Sequence, residues 1–253
     1  MRYPVMTQSL ELIRHITPDA LSEVVDIGVQ VKTEFLMAAL SDRHHHLFEP
    51  STVYHPQLEE NYREQGISYT LHKIALSDVD GLLFLHNTSV DGSGRITHSH
   101  IRTERDPTMP MLVNIEEIPS RRLDSVFPGD QLPDLGYIVK LDVDGVEEKI
   151  IEGGPAVLRG ASFVIIETSI GRQDLCSRAA LLEKLGFRIF DICDNAYYYG
   201  QLALVDLVMI NNRLRNSDIR FQPWKYSEGK VHWKKWQHGF KSLENEPIND
   251  PFG

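Results

Sequence analysis

The sequence is poor in several things, and each shortage excludes something. Two cysteines in 253 residues, Cys176 and Cys193, cannot make a disulfide framework, so a reducing compartment is the default. No apolar run approaches the roughly 20 residues that a helix needs to cross a bilayer. Residues 1–10 lack the basic start and apolar stretch of a secretory signal, and the expectation is a cytoplasmic protein. Positive charge is also scarce: 26 Lys and Arg stand against 36 Asp and Glu, a net charge of -10. That balance argues against a broad basic face for nucleic acid. A G-x-G-x-x-G fingerprint is missing as well, which weakens any reading as a nucleotide-dependent oxidoreductase.

What is present is ordinary globular composition, 42% hydrophobic and 25% charged, enough for one large domain or at most two small ones. The expected organisation is a single α/β domain over residues 1–211, with a short N-terminal helix and an insertion at 87–110, followed by a C-terminal extension over 212–253. Within Arg213 to Lys241 lie eight Lys and Arg residues and three tryptophans. This basic stretch could meet a membrane, an RNA, a partner or a second copy of the chain, or wrap the domain in solvent.

The order of elements follows from periodicity. Ser9 to Ile16 reads as a helix, Glu23 to Ile27 as a buried strand closed by Gly28, and Thr33 to Leu40 as a helix with Phe35, Leu36, Ala39 and Leu40 on one face. The pattern repeats with a strand at His45–Phe48 and a helix near Pro56–Gln65 that Gly66 stops. Tyr69 to Leu76 predicts a third strand and Gly81 to His86 a fourth. Residues 87–110, rich in Ser, Gly, Thr, His and charge, predict a long functional loop or lid. Strands at Leu112–Ile118, Tyr137–Leu141 and Phe163–Ile166, a helical turn at Leu123–Val126 and a helix at Leu175–Leu185 complete the alternation. A late hairpin, Phe187–Ile192 with Leu202–Ile210, would insert the last strand antiparallel. Alternating strands and helices with right-handed crossovers make a mainly parallel sheet covered on both faces.

In such a sheet the ligand crevice lies at the carboxyl ends of the strands. Asp26-Ile27-Gly28 ends the first strand there, and Gly28 would let a ligand approach the backbone, although many structural turns share this pattern. Glu49 ends the second strand about twenty residues later, where a carboxylate can accept both hydroxyl hydrogens of an adenosine ribose. The alternative is a solvated acid at a strand end.

Six segments in order carry a more specific signal: Val24-Val25-Asp26-Ile27-Gly28, His46-Leu47-Phe48-Glu49-Pro50, Ile74-Ala75-Leu76-Ser77-Asp78, Arg122-Leu123-Asp124-Ser125, Lys140-Leu141-Asp142-Val143-Asp144-Gly145-Val146-Glu147 and Val164-Ile165-Ile166-Glu167. Together they resemble the FkbM-type methyltransferases over about residues 22–210. The resemblance implies a doubly wound, mainly parallel seven-stranded sheet of the class I, Rossmann-like methyltransferase type with an antiparallel last strand. It implies S-adenosylmethionine held by Asp26, Gly28 and Glu49, bordered by Gln30, Lys32 and Thr33, with Ala75, Leu76 and Ser77 near the adenine. It also implies that Asp142 lies near the methyl donor, facing substrate or a metal. One departure matters. Lys32 stands where the family has a glycine, and Gln30 where Asn is common; a lysine there is costly if the turn needs positive φ. Lys32 could reach the cofactor carboxylate or block the pocket.

Asp142 and Asp144, with Glu147, could ligate Mg²⁺, a hard cation that favours oxygen. Alternatively Asp142, or His98 or His100 in the 87–110 segment, could act as general base. Asp144 and Glu147 also suit the positive end of the following helix. His44, His45 and His46 alternate across a strand and read as structural. Cys176 and Cys193 have no metal spacing, and Tyr197-Tyr198-Tyr199 either lines an acceptor pocket or packs over the sheet edge. The expected activity is methyl transfer from S-adenosylmethionine to a hydroxyl of a small molecule such as a sugar or secondary metabolite. The alternative is a methyltransferase-like scaffold whose cofactor site Lys32 has closed.

Overall fold

The computed structural model describes residues 5–16, 21–143, 145–171 and 174–215. In chain order the elements are α1 (Met6–Ile16), β1 (Glu23–Ile27), α2 (Glu34–Ala39), β2 (His44–Phe48), α3 (His55–Glu64) and β3 (Tyr69–His72). Next come β4 (Ala75–Leu76), β5 (Gly81–Thr88), β6 (His98–Arg102), β7 (Leu112–Arg121), α4 (Leu123–Val126) and β8 (Tyr137–Leu141). The remainder are α5 (Glu147–Gly153), α6 (Pro155–Gly160), β9 (Phe163–Ser169), α7 (Asp174–Lys184), β10 (Phe187–Tyr198) and β11 (Gln201–Asn211). Of the extension expected at 212–253, residues 216–253 lie outside the described residues.

A seven-stranded sheet runs in the order β10-β11-β9-β8-β1-β2-β3, parallel except for β11, which is antiparallel to both its neighbours. Its central strands are apolar on both sides because both faces are covered. On one face Val25, Ile27, Val139, Leu141, Val164 and Ile166 pack with Leu123, Ile150, Leu158 and Leu182 of the helices. On the other, Val24, Ile138, Phe163, Ile165 and Val208 meet Leu10 and Ile13 of α1 and Leu36 of α2. The N-terminal helix is tied to the far edge by polar contacts, the Met6 amide donating to Asp194 Oδ1 at 3.1 Å and the Ser9 hydroxyl bonding Asp191.

Two expectations fail in one region. The strand expected over 69–76 breaks after His72: β3 joins the large sheet, whereas Ala75 and Leu76 pair with Ser120 and Arg121 of β7. The segment 87–110 is not a long loop. It holds the end of β5 and all of β6, which pair antiparallel, and with β7 and β4 they form a second sheet in the order β4-β7-β5-β6. β6, His-Ser-His-Ile-Arg, contains one apolar residue, so no period-2 hydrophobic pattern announced it. Its order comes from pairing with β5, whose Leu83 and Leu85 cluster with Ile118, Ala75 and Ile101.

Under the β2–β3 edge, histidines replace the usual apolar filling. His72 stacks on Phe48, ring centroids 4.4 Å apart at 8°, and meets Phe127 edge-on, while His46 pairs with Glu23 at 2.9 Å. Burial pushes His72 down to about 4, with the neighbouring histidines acting in the same direction. A depressed histidine is neutral in the fold and takes up its proton on unfolding. Its contribution to stability is therefore full above about pH 6.5 and lost as pH falls towards 4. We expect H72F, which keeps the stack, to flatten the pH dependence of unfolding free energy across that window by about 1–2 kcal/mol after allowance for partial exposure. Urea titrations at several pH values measure it; parallel wild-type and H72F profiles would refute it.

Candidate active site

At the carboxyl ends of β1, β2 and β8 the chain leaves a cavity of about 290 Å³, at the lower end of ligand-pocket sizes. Its walls include Gly28, Gln30, Lys32 and Thr33 from the β1–α2 turn, Glu49 and Pro50 after β2, and Lys140, Asp142 and Val143 from the end of β8. The second sheet closes one side with Leu85, Ser99 and Ile101, and Tyr54 adds to it.

The turn is shaped by its sequence. Gly28 has φ +86°, and its amide donates to the Phe48 carbonyl at 3.0 Å, so β1 and β2 remain tied together where they end. A Cβ at this position would lie 1.8 Å from the Asp142 carbonyl oxygen, so only glycine lets β8 approach. Gln30, not Lys32, takes the left-handed conformation, at φ 52°. Lys32 thus carries no backbone strain from replacing glycine. Its side chain, 47% exposed, pairs with Glu34 at 2.6 Å at the cavity rim.

Glu49 is buried and accepts hydrogen bonds from the backbone amides of Gln30 at 2.9 Å and Ser51 at 2.7 Å. Burial lifts its carboxyl to about 7 despite those two donors. A carboxylate has about four acceptor positions, so Glu49, which lines the cavity, can accept further hydrogen bonds beyond these two. Asp26 is fully buried, does not line the cavity, and accepts no hydrogen bond at either oxygen among the described residues. Lys140 Nζ lies 3.6 Å from it and 2.9 Å from Asp142.

Other expected site residues fall elsewhere. Ala75 and Leu76 are core residues of β4, and the Ser77 hydroxyl donates to Asp78 at 2.8 Å; these residues do not line the cavity. In the β5–β6 ladder Leu85 pairs with Ile101 and Asn87 with Ser99, and it is Ser99 and Ile101 that reach the cavity. Strand alternation turns His98 and His100 to the opposite face, beside His86, and takes them away from the cavity. Asp144 lies outside the described residues. No group of three or more His, Cys, Asp or Glu side chains suited to a metal occurs among the described residues, and Asp142 is occupied by Lys140, so Mg²⁺ finds no support. Glu147 sits in the first turn of α5, buried, and bonds Arg178 at 2.6 Å, a structural pair. Tyr197, Tyr198 and Tyr199 neither line the cavity nor pack on the edge: they are 64%, 69% and 90% exposed at the β10–β11 turn.

Lys140 is the residue the sequence reading passed over. Its signal was a lone lysine in the apolar run Tyr-Ile-Val-Lys-Leu, a position where a cation persists only if it is paired. Ser99, Ile101 and Leu85 were out of reach because their places depend on pairing between strands.

The sheet order and the cavity at its strand ends define a class I S-adenosylmethionine-dependent methyltransferase fold. Residues 26–189 match the methyltransferase FkbM domain, and the chain belongs to that family. Among solved structures it is similar to an rRNA methylase from Streptococcus thermophilus, with 11% identity over 83% of this chain and 98% of that one and a TM-score of 0.47. It is also similar to magnesium protoporphyrin IX methyltransferase from Synechocystis PCC 6803 with bound SAM, with 13% identity, 81% and 79% coverage and a TM-score of 0.44. A third is precorrin-6y C5,15-methyltransferase from Geobacter metallireducens, with 13% identity, 79% and 86% coverage and a TM-score of 0.40. No curated protein matches the sequence.

Proposed function

We propose that this protein transfers the methyl group of S-adenosylmethionine to a hydroxyl of a small molecule, such as a sugar or secondary metabolite. The supporting observation is that one cavity gathers the Gly28 turn, the buried Glu49 carboxylate and Asp142 at the ends of three adjacent parallel strands. These residues fit the cofactor: Glu49 has open acceptor positions for ribose hydroxyls, and Lys32 offers an ammonium group at the rim for a carboxylate. The bound cofactor supplies an electrophilic methyl group on a positively charged sulfur. Leu85, Ile101 and Val143 line the cavity and exclude water, and Asp142, with its side chain 40% exposed at the cavity wall, both accepts a hydrogen bond from the cofactor and takes up the acceptor's hydroxyl proton.

Calorimetry with S-adenosylmethionine tests the first half; failure of the folded protein to bind it would sink the proposal. Incubation with methyl-labelled cofactor and pools of hydroxyl-bearing or amine-bearing small molecules tests the second. Label that appears in the hydroxyl pool and survives mild base is the expected ether. The scaffold alternative is less favoured, since Lys32 carries no left-handed backbone and sits half-exposed at the rim of an open cavity. We expect K32G to weaken binding by about 1 kcal/mol, the modest value suited to a half-exposed charge pair. Tighter binding by K32G would show instead that the lysine obstructs the site.

A further inference from the structure

Lys140 carries a buried charge to which the proposed methyl transfer gives no part. β1 and β8 are in register with Asp26 opposite Lys140, and Asp142, the residue just after β8, returns to the side of Lys140, with their charged groups 2.9 Å apart. Lys140 lines the cavity although it is only 4% exposed, and its ammonium is within reach of two carboxylates, the sealed Asp26 and the cavity-lining Asp142. Asp26 has no hydrogen-bond donor of its own among the described residues, so the ammonium is its compensation in the core. The short contact, 2.9 Å, is nevertheless made to Asp142. Asp26 therefore anchors the cation, and the cation grips the carboxylate at the cavity wall. Burial alone would favour the neutral amine, but Asp26 and Asp142 together raise Lys140 above its ordinary value, so it remains an ammonium ion.

We propose that Lys140 is a positioning residue that holds the Asp142 carboxylate in place at the cofactor cavity, with Asp26 as its buried anchor. This rests on the cavity binding S-adenosylmethionine, as proposed above. Lys140 acts through Asp142, so its effect on binding exists only while Asp142 is there to be held.

A double-mutant cycle reads this directly. Affinity for S-adenosylmethionine is measured by calorimetry on the full chain for wild type, K140M, D142N and K140M/D142N, with thermal unfolding of each alongside. Expected is a loss of at least tenfold for K140M, a similar loss for D142N, and a double variant no more than twofold weaker than D142N alone. K140R, which restores the cation, should bind within threefold of wild type. Losses that multiply in the double variant, K140M or D142N binding within twofold of wild type, or K140R as weak as K140M would each overturn the proposal. If K140M does not fold, the cycle is run with D26N as the parent, which removes the buried acid that K140M leaves uncompensated: D26N, D26N/K140M, D26N/D142N and the triple variant are compared, and K140M should again add no more than twofold once Asp142 is replaced. Wild type that folds but does not bind S-adenosylmethionine would defeat the cofactor reading itself, an outcome distinct from any of these.

Discussion

Replacing Glu49 by alanine is expected to weaken S-adenosylmethionine binding by about 2–5 kcal/mol, the range for losing two hydrogen bonds to a charged group. The effect should carry a pH signature. Glu49 sits at about 7, raised from 4.5, because burial disfavours its charge. Its folded value is raised, so its contribution to stability is full below about pH 4.5 and disappears as pH rises through 7. Binding runs the other way. Hydroxyl donors favour the carboxylate, so affinity should rise with pH up to about 7 and flatten above, falling by up to about tenfold per unit on the acid side. At pH 6 the complex should release close to one proton, measurable by calorimetry in buffers of different ionisation enthalpy. E49Q should abolish that release. A proton count unchanged in E49Q would remove Glu49 from the site.

The second large effect is expected at Gly28. G28A places a methyl group 1.8 Å from the Asp142 carbonyl and 2.9 Å from Val143 Cγ1, on a backbone at φ +86°. The left-handed conformation costs about 1–2 kcal/mol and overpacking about 1–3, so a loss of about 2–5 kcal/mol in unfolding free energy is expected. The clash pushes on Asp142, so affinity for the cofactor should fall as well. G66A is the control. Gly66 also has positive φ, +65°, but a Cβ there meets nothing within 4 Å, and only the backbone penalty of about 1–2 kcal/mol applies. Equal stability losses in the two variants would mean that β8 does not press on the Gly28 turn.

The centre of the large sheet was readable because β1, β8 and β9 are short apolar runs followed by helices, a signal that is local in sequence. Asp26-Ile27-Gly28 and Glu49 could be placed at strand ends from the chain order alone. The second sheet could not: β6 carries its structure in hydrogen bonds to β5, and its lone apolar side chain, Ile101, is only one point of a pattern. The same blindness exchanged one side of a strand for the other. His98 and His100 attracted attention as titratable groups, yet register gives the cavity to Ser99 and Ile101. The family resemblance implied that Asp26 helps to hold the cofactor. In the fold Asp26 is sealed against Lys140, a pairing visible only when β1 and β8 are laid side by side.

The antiparallel strand β11 lies between β9 and β10 although it follows both in the chain. During synthesis β10 therefore emerges with no partner in the large sheet, and β9 presents an open edge until residues 201–211 arrive. Sequentially formed neighbours cannot complete this side of the molecule. The hairpin must form and dock as a unit, which makes it a late event in folding. Nascent chains stalled before residue 201 would expose the apolar β9 segment Phe-Val-Ile-Ile, bare along one side, and be the species most prone to edge-to-edge aggregation.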